Sequence, residues 1–248
     1  MHDFSGITRV ISSGSNQSNA MYSLSVLARL KQWQFVYVCD HVPSFLKLHP
    51  VGNYAKALEN GMTLIESSDK EKTLRSLMSE QTLCIEEGGR QREAEEGLVL
   101  LADELLEDIQ NAKISEPYLF LPSGTGTTAL YLQKRLPFRV YTCCTVGDSD
   151  YLKRQWQRLE LDASSWPMIL ESPKKYHYGK LYPELFTLWQ ALKHDMHVEF
   201  DLVYDPLGWT VLLAHVSQLK GTPIYVHQGG LLGNVSMKQR YARKLNML

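Results

Sequence analysis

Two polar loops sit where β-type runs pass into helical patterns. Ser15-Asn16-Gln17-Ser18-Asn19 follows Ile7–Ser12, and Ser123-Gly124-Thr125-Gly126-Thr127-Thr128 follows Tyr118–Leu121. A helix N-terminus carries unpaired N–H groups and the positive end of the helix dipole, so it attracts anions. The second loop adds the hydroxyls of Ser123, Thr125, Thr127 and Thr128 and carries little bulk. A terminal phosphate dianion offers the acceptor oxygens that such donors need. The same stretch, Gly124 to Ala129, also fits G-x-G-x-x-A, with Asp148 at the end of the next strand-like run. That is the pattern of a dinucleotide site, so an NAD(P)-binding oxidoreductase is a second reading. A Walker A loop is excluded, because no Gly-Lys-Ser/Thr follows. A tight turn with a Ser/Thr cap is the third reading.

For the first loop, Ser18 and Asn19 either cap the following helix or turn their side chains toward a ligand. Tyr204-Asp205 follows Asp201-Leu202-Val203, and a tyrosine beside two acids suits acid–base work or is a loop aromatic. His227-Gln228-Gly229-Gly230 and Glu86-Glu87-Gly88-Gly89 each place a glycine pair at a strand end, where backbone must come close to something. No His/Asp/Glu grouping has metal-ligand spacing, and no G-x-S-x-G elbow is present. Cys39, Cys84, Cys143 and Cys144 lack CxxC spacing and read as buried reduced thiols of a cytoplasmic protein.

The elements that must position these loops alternate. Ile7–Ser12, Phe35–Cys39, Met62–Glu66, Thr82–Ile85, Tyr118–Leu121, Arg139–Val146 and Pro223–His227 read as strands, with a short one at Met168–Leu170. Helical periodicity covers Asn19–Lys31, Asn53–Glu59, Asp69–Ser79, Arg92–Ala112, Thr128–Leu136, Ser149–Leu159, Tyr182–His194 and Trp209–Leu219. Such alternation predicts an α/β fold: open, mostly parallel twisted sheets flanked by helices, with ligands beyond the carboxyl ends of the strands. The 248-residue length and a break at Gly88-Gly89 predict two domains, a smaller one over 1–86 and a larger one over 87–248. Hydrophobic residues make up 44% and charged residues 21%, and 26 basic against 27 acidic residues leave a net charge of −1. That balance argues against nucleic acid or a polybasic membrane surface as partner. No apolar run approaches membrane-span length, and the first residues lack a signal-peptide pattern.

Taken in order, Gly14–Ala20, Glu87-Gly88-Gly89, Ser123–Thr127, Asp201-Leu202-Val203-Tyr204 and His227–Gly230 resemble segments of a known family. They are similar to the pyridoxal-phosphate enzymes of the 1-aminocyclopropane-1-carboxylate deaminase and D-cysteine desulfhydrase group, which have the tryptophan-synthase-β-like fold. The resemblance spans essentially the whole chain. It implies that Ser123, Gly124, Thr125, Gly126 and Thr127 bind the cofactor phosphate, that Asn19 contacts the pyridine 3-hydroxyl, and that Ser18 meets the substrate carboxylate. It implies Tyr204 over the cofactor in proton transfer or attack, and Asp205 where relatives carry an acid near the pyridine nitrogen. It further implies a small amino-acid substrate and, in the intact family form, a homodimer. One departure stands out. The family's Schiff-base lysine lies upstream of the Ser-Asn loop in a Gly-Asn-Lys context, whereas here no lysine precedes Lys31. The expectation is an N-terminally shortened form, inactive as written and without covalent cofactor attachment, or a non-catalytic phospholigand-binding remnant. Leu202, where the family usually has proline, is a smaller departure.

Overall fold

The structure, a computed structural model, describes residues 4–245. The chain divides into two compact units. The first comprises Met1–Gly89 with Leu232–Ser236, and the second Arg90–Leu231 with Met237–Leu248.

In the first unit the order is β1 (Arg9–Ser13), α1 (Asn19–Lys31), β2 (Gln34–Cys39), α2 (Ser44–Leu48), α3 (Gly52–Glu59), β3 (Met62–Glu66), α4 (Lys70–Leu77) and β4 (Thr82–Ile85). The strands pair in parallel in the order β3-β2-β1-β4. Val10 and Ile11 of β1 are adjacent and both fully buried, so they point to opposite faces that are both covered. Helix α1 begins at Ser18, whose hydroxyl accepts the Met21 N–H at 3.3 Å. It ends at Gln32 in the left-handed region, with φ +58. The short helix α2 carries no helical stripe long enough to read in the sequence. It follows Pro43, where the fixed proline φ starts the turn.

In the second unit the order is α5 (Ala94–Asn111), β5 (Pro117–Ser123), α6 (Thr127–Arg135), β6 (Val140–Cys144), α7 (Ser149–Gln157), β7 (Met168–Ile169), α8 (Pro183–Met196), α9 (Asp205–His215), β8 (Thr222–Tyr225) and, from Met237 on, α10 (Asn234–Lys244). Its four strands are also parallel, in the order β7-β6-β5-β8. Central β5 is the apolar run Tyr118-Leu119-Phe120-Leu121, all within 2% of complete burial. Each such side chain contributes about 1.5–3 kcal/mol of transfer free energy. Pro122 is tolerated inside the strand for a geometric reason. The Leu119 N–H bonds to β6, so by the two-residue period residue 122 faces the β8 side, where pairing stops at Phe120 with Tyr225.

Two boundaries differ from the sequence reading in ways that matter. Strand β5 extends through Ser123, because β6 pairs with it as far as Ser123 with Cys144. Helix α9 begins at Asp205 rather than near Trp209, since Pro206 fits the first helical turn. The four thiols are free, with Cys143 and Cys144 successive on β6. No helix among the described residues is long and apolar enough to cross a membrane.

Candidate functional site

The second unit gathers its polar groups at the carboxyl ends of β5 and β6. Gly126 takes φ +75 and stands just before α6, whose first helical hydrogen bond runs from the Leu130 N–H to the Gly126 carbonyl. The N–H groups of Thr127, Thr128 and Ala129 therefore precede the helical ladder and point out of its end. Thr125 and Thr127 bring their hydroxyl oxygens within 3.2 Å of each other. The loop is held from behind by α7. Trp156 Nε1 donates to the Gly126 carbonyl at 3.0 Å, and a Cβ at Gly126 would come within 2.5 Å of both Trp156 and Leu152. The loop therefore presents N–H and O–H donors at a helix N-terminus, donor chemistry that suits a phosphate monoester.

Ser123 has a different placement from its loop neighbours. Thr142 Oγ1 donates to the Leu121 carbonyl at 2.7 Å, which leaves Ser123 Oγ to donate to Thr142 at 2.6 Å. Its hydroxyl proton is thus engaged inside the sheet, and the Ser123 carbonyl accepts both the N–H and the hydroxyl of Thr145. Asp148, the acid of the dinucleotide reading, caps α7: its carboxylate accepts the Tyr151 N–H at 2.8 Å.

Tyr204 is the residue just before α9, and its ring lies over the glycine loop. A Cβ added at Gly124 would touch that ring at 3.5 Å. Its phenol oxygen is 3.2 Å from that of Tyr178, with ring centroids 5.8 Å apart. Two phenols at this distance can share a proton, one donating while the other accepts. Tyr178 was not legible as a site residue. It lies in an irregular stretch, Tyr176-His177-Tyr178-Gly179, with no periodicity to place it.

Asp205 is 2% exposed and spends its carboxylate on Tyr225 and on the Asp201 N–H. Burial first of all, with Asp201 adding to it, pushes its pKa up to about 6 against those two hydrogen bonds. His227 donates through Nε2 to the Glu199 carbonyl at 2.8 Å and accepts the Gly229 N–H on Nδ1 at 3.0 Å. Gln228 donates to the Pro122 carbonyl at 2.8 Å, which ties the glycine pair to the end of β5.

In the first unit, Ser18 serves as the α1 cap described above, and Asn19 opens the helix. Asn53, 1% exposed, donates from Nδ2 to Asn19 Oδ1 at 2.7 Å and to the Gln17 carbonyl at 2.9 Å. Gln17 returns the contact, accepting the Asn53 N–H at 3.1 Å and donating to the Val51 carbonyl at 3.0 Å. Asn53 thus fixes the Asn19 amide with its oxygen as the acceptor of this contact. Sequence reasoning missed Asn53 and Gln17 as partners because they are 34 and more residues from the groups they hold. Among the described residues no group of three or more His, Cys, Asp or Glu could hold a metal ion.

Comparison with solved structures places this architecture. An ACC deaminase homologue superposes with a TM-score of 0.72 at 18% identity, covering 95% of this chain and 78% of that one. A hydrogen sulfide-producing enzyme of Fusobacterium nucleatum gives 0.61 at 14% identity, over 89% of this chain and 76% of the other. Diaminopropionate ammonia lyase of Escherichia coli gives 0.61 at 11% identity, over 96% and 69%. No protein-family model matches the chain, and no curated protein matches it by sequence. The fold is the tryptophan-synthase-β-like fold, type II of the pyridoxal-phosphate enzymes, as the sequence resemblance implied.

Proposed function

We propose that this chain is a pyridoxal-phosphate protein of the deaminase and desulfhydrase kind, acting on or descended from an enzyme for a small amino acid such as D-cysteine or 1-aminocyclopropane-1-carboxylate. The observation that carries the reading is the donor cradle at the N-terminus of α6, roofed by the Tyr204 ring. When bound, the cofactor supplies an electron sink for a carbanion. This chain's residues do the rest. Gly124, Thr125, Gly126 and Thr127 hold the phosphate, with Ser123 fixing the loop's root through Thr142 and Thr145. By the resemblance, Asn19 would meet the cofactor's 3-oxygen and Ser18 the substrate carboxylate. Tyr204 moves a proton at its phenol oxygen, with Tyr178 as the exchange partner.

The Gly-Asn-Lys tripeptide that the resemblance leads one to seek does not occur in the 248 residues. What these 248 residues themselves offer the cofactor is a hold on its phosphate. Calorimetry with pyridoxal phosphate tests the binding. Hydrogen bonds to a charged phosphate contribute about 1.5–3 kcal/mol each, so Thr125→Ala with Thr127→Ala should weaken binding at least about tenfold. Equal affinity in the two proteins, or tight binding of NAD(P) in place of pyridoxal phosphate, would remove the reading. Borohydride reduction with peptide mapping tests whether a lysine within these residues also takes the cofactor covalently.

A further inference from the structure

Behind Tyr204 runs a set of buried polar contacts that the phosphate cradle does not use. Asp205 Oδ1 accepts the Tyr225 hydroxyl at 2.7 Å, and Oδ2 accepts the Asp201 N–H at 2.8 Å. Asp201, 4% exposed, uses Oδ1 to accept the N–H of Val203 at 2.7 Å and of Tyr204 at 2.9 Å. The contacts thus lead from β8, through the first residue of α9, to the backbone of Tyr204. Gly208 makes the close approach possible, since a Cβ there would stand 2.7 Å from the Tyr225 hydroxyl and 3.2 Å from Pro122.

Asp201 alone already satisfies the N–H groups of the turn before α9. A second buried carboxylate is costly to desolvate and has to be held by donors. Here the donors are the strand that carries Tyr225 and the turn that carries Tyr204. We infer that Asp205 is a positioning residue: through Asp201 and Tyr225 it fixes the Tyr204 ring over Gly124, and its ionisation sets that position. This differs from an acid turned to a pyridine nitrogen, because both carboxylate oxygens are directed at groups of the protein itself. The inference rests on the proposed function only for what Tyr204 does, and not for where it stands.

Ionisation matters for a simple reason of donor count. The carboxylate accepts from both partners. The protonated acid has an O–H of its own where the Tyr225 O–H now donates, so one of the two hydroxyls must turn away. The ionisable groups facing Asp205 are Asp201, Tyr225, His227 and Cys143. Burial, then the nearby Asp205, keeps Tyr225 protonated well beyond its ordinary range, so it remains a donor at neutral pH.

The test uses the whole chain without cofactor, with 3-fluorotyrosine at position 204 and its fluorine resonance followed from about pH 4 to about pH 7.5. The parent protein should show a shift of that resonance with its midpoint near the Asp205 pKa of about 6. Asp205→Asn has one acceptor and one donor, as the protonated acid has, so the resonance should stay flat, near its low-pH position. Asp205→Ala should leave it flat and displaced. If the alanine variant does not fold, Tyr225→Phe decides: losing a donor that stabilises the carboxylate should move the midpoint upward. A midpoint that persists in Asp205→Asn, or one that Tyr225→Phe leaves unmoved, overturns the inference. Cofactor binding plays no part in this readout, so its failure and that of the proposed function are distinguishable by calorimetry.

Discussion

Trp156 donates its indole N–H to the carbonyl of Gly126 at 3.0 Å, across the 30 residues that separate α7 from the loop before α6. The same indole nitrogen lies where a side chain at Gly126 would have to go. The loop is therefore shaped by a partner that both bonds to its backbone and forbids a Cβ.

Gly126→Ala should consequently be among the more damaging single substitutions in the second unit. It combines a left-handed φ of +75 with a contact at 2.5 Å. A loss of roughly 2–4 kcal/mol is expected in urea unfolding. Gly229→Ala provides the contrast. Its φ is +77, but nothing lies within 4 Å of the added atom, so only the backbone strain applies and the loss should be smaller.

In the first unit, Asn53→Ala should destabilise by about 2–3 kcal/mol, because it leaves the Gln17 carbonyl and the Asn19 amide oxygen without their donor. Asn53→Asp should act differently. A carboxylate accepts only, so the Asn19 amide is driven to turn its NH₂ toward residue 53. Side-chain amide NMR of Asn19 would register the rotation. An unchanged Asn19 amide in the aspartate variant would contradict the assigned orientation.

Asp205 should make stability depend on pH in the direction opposite to an ordinary surface acid. Its folded-state pKa, about 6, lies above the 3.8 of an unperturbed aspartate. The folded state thus holds the proton more tightly than the unfolded chain. The contribution is fully present below about pH 4, declines as pH rises toward 6, and is lost above it. The amount is about 3 kcal/mol. Subtracting the unfolding free energy of Asp205→Asn from that of the parent at each pH isolates this slope; a difference that does not vary with pH would refute it.

Glu66 works with the other sign. Lys47, the Val42 N–H and His41 hold its carboxylate, which brings its pKa down to about 2. What Glu66 contributes to the loop after β2 is present above about pH 4.5 and lost as pH falls through about 2. Amide exchange at Val42 should stay slow down to that range and then accelerate, whereas Glu66→Gln should exchange faster throughout.

Much of this fold is legible in residue order, for physical reasons that stop at identifiable places. Buried parallel strands announce themselves as apolar runs, so Tyr118–Leu121 and Phe35–Cys39 were readable, as was the glycine loop between strand and helix. The strand's continuation through Pro122 and Ser123 was not. It depends on which side of β5 lacks a neighbour, and a proline ordinarily argues against a central strand. The cradle was readable as a motif, but the fate of the Ser123 hydroxyl depends on Thr142, which comes beside it only when β6 pairs. Tyr204 was singled out by its acidic neighbours, while Tyr178 and Tyr225, which give those neighbours their meaning, lie 26 and 20 residues from their partners. Contacts of that kind leave no periodic trace.

The cysteines carry a practical consequence. Buried Cys39 and half-buried Cys84 have pKa values raised chiefly by desolvation, Cys144 is pushed up to about 12, and fully buried Cys143 is raised strongly too, by the same cause. Thiolate, the form that alkylating reagents attack, is scarce for all four at neutral pH. A dye or spin label aimed at a cysteine newly placed on an exposed helix position should therefore find that position first, with the natural four left in the sequence.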